Sequence, residues 1–321
     1  KFDESKYINK FDLIFIDGGH TYSVVKNDTE KSFKMLNKNG IILWHDYVPG
    51  KQSAKNVVNY LNEISKEKNI LNIRNKIKIG KNSELHLLDF TINESKCNFF
   101  NNVFEDIILD NSATLKNIYL QNDKSSGYFH KFSKNKLSSG SKITSFIFPT
   151  GLKFNKLDLE FDLEGEQGEC NIQSASFLNS NEHQEVKTRV NHFYPNCKSY
   201  QKVKNVLSAE SKGVYQGKIF VKDIAQKTDA YQLSKAILLS ESSEFNSKPE
   251  LEIYADDVKC SHGSTSGSLD IDSIYYLMTR GLSKKESTKI LVESFLNEII
   301  ESIKSNTIRN FIKMKFEEQL Q

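Results

Sequence analysis

Short apolar runs separated by polar turns dominate the middle of this chain. They recur at residues 107–109, 118–120, 143–148, 157–161, 170–172, 214–221 and 251–254. Gly, Asn, Ser and Asp fill the gaps, and no long helical pattern interrupts before the 225–240 region. Many short strands joined by polar turns predict a sandwich, a barrel or a solenoid. No strict repeat period is visible, so the pattern alone leaves these three open.

Both ends follow other periods. FDLIFIDGG at 11–19 reads as a buried parallel strand ending in a tight turn. Val24, Val25, Phe33, Met35 and Leu36 then fall on a helical face, Asn39-Gly40 reads as its stop, and IILWHDY at 41–47 reads as the next strand. Strand, helix and strand predict a βαβ unit, a partial Rossmann-like α/β segment. The stretch 61–81 is polar, with helix-like spacing at Leu61, Ile64 and Leu71, and 85–90 reads as a further strand. A polar run beginning at Thr91 marks the boundary. Beyond residue 267, Asp270 is a good N-cap for a helix carrying Ile274, Leu277 and Met278, with Gly281 at its end. Ser283 and Glu286 form a capping-box pattern, and Ile290, Leu291, Phe295, Leu296, Ile299, Ile300 and Ile303 make the next apolar stripe. A last amphipathic stretch carries Ile308, Phe311, Ile312 and Phe316. The expected organisation is therefore an α/β segment over 1–90, a β-rich core over 91–266 and a helical region over 267–321.

Composition narrows the function classes. At 321 residues the chain is long enough for two ordinary domains. A net charge of +3 argues against a dedicated nucleic-acid binder. No apolar run approaches a membrane span, and the opening KFDESKYINK is too polar for a secretory signal. Cys97, Cys170, Cys197 and Cys260 are scattered, with no CxxC pattern, which suits a reducing cytoplasm.

Two places carry candidate chemistry. KPELEIYADDVKCSHGSTSG, at 248–267, brings Asp256, Asp257, Cys260 and His262 into seven residues. Residues two apart on a strand share a face, so Cys260 and His262 would project together. A thiolate beside an imidazole is a plausible pair of iron or zinc ligands, and a partner would have to complete the set. The plainer reading is a buried cysteine near a surface histidine. In the N-terminal segment, Asp17, His20, His45 and Asp46 fall at the C-terminal ends of predicted strands, where open α/β sheets bind ligands. His183, His192 and Cys197 are further candidates, weighed against a solvated turn for His183 and a packed small hydrophobe for Cys197.

Several blocks carry a resemblance. GVYQGKIFVKDIAQKTDAYQLSKAILLSESSEFNSKPELEI at 213–253, ADDVKCSHG at 255–263 and LDIDSIYYLMTRGLSKKES at 269–287 resemble the SufB/SufD family, the scaffold subunits of an iron–sulfur cluster assembly machine. Their order looks like the SufD branch. Weaker similarity reaches back to about Glu105 through EDIILDNSATLKNIYLQ and VNHFYPNCKSYQKV. The resemblance implies a right-handed parallel β-helix with a C-terminal helical region, and a non-catalytic scaffold role. It implies a SufB-type partner subunit, an ABC-type ATPase of the SufC type, and a transient Fe–S cluster shared with a partner. His262 and Cys260 would face that cluster, and Tyr275, Tyr276 and Arg280 would meet the ATPase. Residues 1–90 resemble instead the C-terminal half of class I S-adenosylmethionine-dependent methyltransferases. There Asp17 and Asp46 would hold a divalent metal and His20 would act as base. The glycine-rich loop that holds the methyl donor is not among these residues, so this segment is expected to be inactive.

Overall fold

The computed structural model describes residues 3–16, 18–44, 52, 55–68, 70–91, 99–122 and 127–318. These divide into two compact units, Lys1–Leu71 and Asn72–Gln321.

In the first unit, β1 (Phe11–Ile16) pairs in parallel with β2 (Leu36–Trp44), and α1 (Tyr22–Met35) connects them. A second helix, α2 (Lys55–Lys68), follows. Val25, Val57 and Tyr60 are buried together. The expected βαβ unit is present, with one difference. The helix ends at Met35, and Asn39-Gly40 lies inside β2 rather than acting as a stop. A register irregularity between β1 and β2, at Phe11/Leu13, accommodates the extra residues.

The second unit is a parallel β-solenoid. Fourteen strands follow one another: β3 (Ile70–Ile79), β4 (Glu84–Thr91), β5 (Phe100–Leu109), β6 (Thr114–Asn122), β7 (Tyr128–Leu137), β8 (Lys142–Thr150), β9 (Phe154–Leu163), β10 (Glu169–Leu178), β11 (His183–His192), β12 (Lys198–Leu207), β13 (Lys212–Val221), β14 (Asp229–Leu238), β15 (Glu244–Ile253) and β16 (Lys259–Gly267). Odd strands stack into one seven-stranded sheet and even strands into the other. Each strand therefore pairs with the one two ahead, in parallel, which is the coiling of a solenoid. Strands β3 and β4 already belong to it, so the solenoid starts upstream of the Thr91 boundary that composition suggested.

Alternation drives the burial. Every second side chain is buried, at Asn155, Leu157, Leu159 and Phe161 of β9 and at Gln184, Val186, Thr188 and Val190 of β11. Leu109, Leu115, Leu137, Ile143, Leu157, Phe161 and Val190 meet there as one core. At one corner the chain turns through a left-handed residue in each of six coils: Asn82, Ser112, Gly140, Gln167, Asn196 and Lys227, 27 to 31 residues apart. The N–H of each of these six donates to a carbonyl in the matching turn of the next coil, as from Ser112 to Ser139 at 2.9 Å and from Asn196 to Gln226 at 2.9 Å.

Three helices follow: α3 (Ile271–Thr279), α4 (Lys284–Ile300) and α5 (Asn306–Glu317). Asp270 caps α3, and Ser283 with Glu286 forms a complete capping box on α4. Helices α4 and α5 cover the outer face of the even-strand sheet. Val292, Leu296, Ile299, Ile312 and Phe316 pack on Ile118, Leu120, Phe148, Phe177 and Val206. The Phe148 and Phe316 rings meet edge-on at 5.9 Å. No helix among the described residues is long and apolar enough to cross a membrane.

Candidate functional site

The two sheets end on β15 and β16, and no described strand pairs with their outer edges. A solenoid end of this kind exposes both a row of backbone groups and the last layer of inward-facing side chains. Strand β16 aligns with β14, setting Cys260 beside Ala230, His262 beside Gln232 and Ser264 beside Ser234. Ala230, Gln232 and Ser234 are each 1% exposed and line the interior. Cys260 and His262 thus lie on the inward-facing side of the terminal strand. His262 is nevertheless exposed, because no described strand stacks above it.

The two side chains differ in environment. Cys260 is half-buried against Ile219, Val221, Ala225, Ala230 and Ala255. Burial pushes its thiol above the ordinary range and the Asp229 charge adds to this, against a lowering by the Ala230 backbone. It is therefore a thiol near neutral pH, and becomes a ligand only when a metal displaces the proton. Asp256 and Asp257 sit in the exposed turn before the strand, and the N–H of Asp257 donates to Gln226 Oε1 at 2.9 Å. Among the described residues no three His, Cys, Asp or Glu side chains come together as a metal site. This corner offers a cysteine and a histidine, and any further donors have to come from outside these residues.

The other candidates separate. His192 is fully buried, with Nε2 2.9 Å from Ser199 Oγ and Nδ1 without a partner. Burial pulls its pKa down to about 3. Cys197 is buried and donates to the Gly165 carbonyl at 3.2 Å. His183 stands 3.1 Å from Glu185 as part of a surface ladder. Tyr275 and Tyr276 are 68% and 57% exposed, and Arg280 lies over the Tyr276 ring at 5.2 Å. Helix α3 buries no residue, and Ile271 is 77% exposed. In the first unit, His20 is exposed and its carbonyl accepts from Asn56 Nδ2 at 3.0 Å. Asp17, His45 and Asp46 lie outside the described residues.

Sequence reasoning missed a charged group inside the solenoid. Lys131, on an inward position of β7, is 4% exposed. It sits 2.7 Å from Asp89 and 3.2 Å from Glu105, and Ser133 donates to Glu105 at 2.9 Å. The missing signal was register, since these three residues are far apart in sequence.

The described residues thus form a parallel solenoid with an open end, an exposed histidine on the inward side of its last strand, and a following helix, α3, that buries no residue. The family model described as SUF system FeS cluster assembly, SufBD core domain, matches residues 62–295. The chain belongs to this SufBD core family. A second family model, a methyltransferase domain, matches residues 2–47. The chain is similar to the iron–sulfur cluster assembly protein SufD of Escherichia coli, at 27% identity over 79% of this chain and 60% of that protein. It is similar to an iron–sulfur cluster assembly SufBD family protein of Synechocystis, at 28% identity over 64% of this chain and 45% of the relative. Protein ABCI7, chloroplastic, of Arabidopsis thaliana is 25% identical over 77% of this chain and 52% of its own length. The chain spans about half the length of these curated relatives.

Proposed function

We propose that this protein is a SufD-like scaffold subunit that helps to build and hand on iron–sulfur clusters, and is not itself a catalyst. The observation that carries this reading is the exposed, inward-facing His262 on the last strand of a SufBD-family solenoid. The open edges of β15 and β16 pair with a SufB-type subunit, which continues the sheets and covers His262. The nascent cluster is cargo at that junction. His262 supplies one donor and Cys260 a second, and the partner supplies the rest. Clusters are held mainly by cysteine thiolates with occasional histidine, and a half-provided set holds its cluster loosely enough to release it.

Helix α3 is the docking surface for a SufC-type ATPase. Its support is the row Ile271, Tyr275, Tyr276 and Met278, all exposed on a capped helix that buries nothing. Aromatic residues and arginine are the usual anchors of such contacts, and the ring of Tyr276 holds Arg280 in place. Scattered, unpaired Cys170, Cys197 and Cys260 fit a reducing cytoplasm. The methyltransferase family model matches residues 2–47, and we read the first unit as an inactive methyltransferase-like segment.

Co-elution on a sizing column tests the two surfaces separately. Tyr275→Asp with Tyr276→Asp is expected to lose the ATPase and keep the SufB-type subunit. Thr265→Pro on β16 is expected to do the reverse, since proline removes a backbone donor from the pairing edge. Retention of both partners by both variants would refute the assignment of surfaces.

A further inference from the structure

We propose that Gln232 is a positioning residue for His262: its side-chain carbonyl accepts the ring N–H of His262 and fixes the tautomer and direction of the imidazole. This deepens the reading of His262 as a cluster donor and rests on it. The two residues are paired in register on neighbouring strands, β14 and β16, and both occupy inward positions. Neighbouring strands lie about 4.8 Å apart, so a glutamine amide and an imidazole stacked in one column are within reach. Gln232 is 1% exposed, so water does not serve its polar atoms. Its Nε2 donates to the Glu250 carbonyl at 3.3 Å, while its Oε1 has no partner. A buried acceptor of this kind is normally satisfied.

The Tyr215 hydroxyl beside it donates instead to Gln201 Oε1, at 3.4 Å. Across the interior stands Gly217, where a Cβ would come within 2.3 Å of Gln232 Oε1 and 2.4 Å of the Tyr215 hydroxyl. Glycine there is what gives the amide room to turn. Along the column, the neighbours of Gln232 are Gln201 on β12 and His262 on β16. Gln201 Nε2 also lacks a partner, so an amide-to-amide ladder is the competing arrangement. His262 is the donor at the open end. Once one ring nitrogen gives its proton to Gln232, the other presents its lone pair away from that contact. Partners of this second kind orient ligating histidines and tune their basicity, and their loss typically weakens metal binding about 10- to 100-fold.

The test uses the full chain with ring-15N histidine, with His262→Asn to assign the signal. In the wild type, His262 should show one tautomer and a slowly exchanging ring N–H. Gln232→Leu should lose that N–H and mix the tautomers, while Gln232→Glu, which keeps an acceptor oxygen, should retain it. A loss of packing alone would not move the tautomer. If the glutamate variant fails to fold, the wild-type and leucine spectra still decide. A mixed-tautomer wild type, or an unchanged signal in Gln232→Leu, overturns the proposal in favour of the Gln201 ladder. Iron content of the complex formed with His262→Ala separates the two levels. Normal iron in that complex, with the ring N–H intact in the wild type, would sink the donor reading and leave the contact standing.

Discussion

Lys204, on an outward position of β12, donates its Nζ to the backbone carbonyl of Phe295 in α4 at 2.7 Å and lies over the Phe295 ring at 4.3 Å. The same ammonium pairs with Glu298, which also pairs with Lys202. These bonds hold the Glu298 carboxyl down at about 2, while burial pulls the Lys204 pKa down. The helical region is therefore latched onto the solenoid by charge as well as by its apolar seam. Lys204→Met should cost about 1–3 kcal/mol, the scale of a lost charge-assisted bond in a partly buried place. Hydrogen exchange is expected to quicken in α4 before it does in β10 and β12. Unchanged protection of α4 would show the latch to be ornamental.

The buried charges of Lys131 and Glu105, beside the half-buried Asp89, make a second prediction. Removing one partner of a buried pair strands the other, at about 3–5 kcal/mol. Lys131→Met should accordingly lower the urea midpoint strongly. Lys131→Met combined with Glu105→Gln should recover part of the loss, because no unpaired buried charge remains at Glu105. Equal midpoints for the single and double variants would mean the two residues are not coupled.

His192 gives the solenoid an acid sensitivity. Burial holds its folded pKa at about 3, against an unfolded value near 6.5. Below pH 6.5 the unfolded chain takes a proton that the folded chain refuses, so stability falls as pH drops toward 3 and levels off beneath it. The slope is at most about 1.4 kcal/mol per pH unit. Between pH 6.5 and 5 the Glu298 carboxyl, held down at about 2, stays ionised. Urea unfolding at those two pH values should show a smaller loss for His192→Asn than for the wild type. Parallel losses would place the sensitivity elsewhere.

The corner residues predict a gain. Lys227 is exposed and holds φ at 60°, a conformation that costs an ordinary side chain about 1–2 kcal/mol. Glycine has no such cost but loses more freedom on folding. Lys227→Gly should raise stability by roughly 0.5–1 kcal/mol, read from thermal unfolding, and a lower melting temperature would contradict it.

That corner also explains what the sequence hid. The solenoid repeats its backbone and not its residues. Asn, Ser, Gly, Gln, Asn and Lys occupy equivalent left-handed positions, so no repeat could be read from letters. Apolar runs in β9, β10 and β13 were readable because both neighbours of each strand are present and their inward positions are buried, whereas β11 places in a strand the His183 stretch that reads as a turn. Strand β3 was not, because an end strand needs no apolar alternation: most of Ile70–Ile79 is exposed. It reads as a polar helix for that reason. At the candidate site, the shared face of Cys260 and His262 follows from their spacing alone. That this face is the inward one, at the end of a stack and above Gln232, depends on pairing between residues 30 apart. Local pattern carries no such information.

The most direct test of the account is anaerobic co-purification with a SufB-type subunit and a SufC-type ATPase, followed by iron and sulfide analysis of the complex. The account predicts that wild type and His262→Ala assemble equally, and that the variant complex retains several-fold less iron and sulfide. An intact complex with undiminished iron in the variant would contradict the assignment of His262 as a cluster donor.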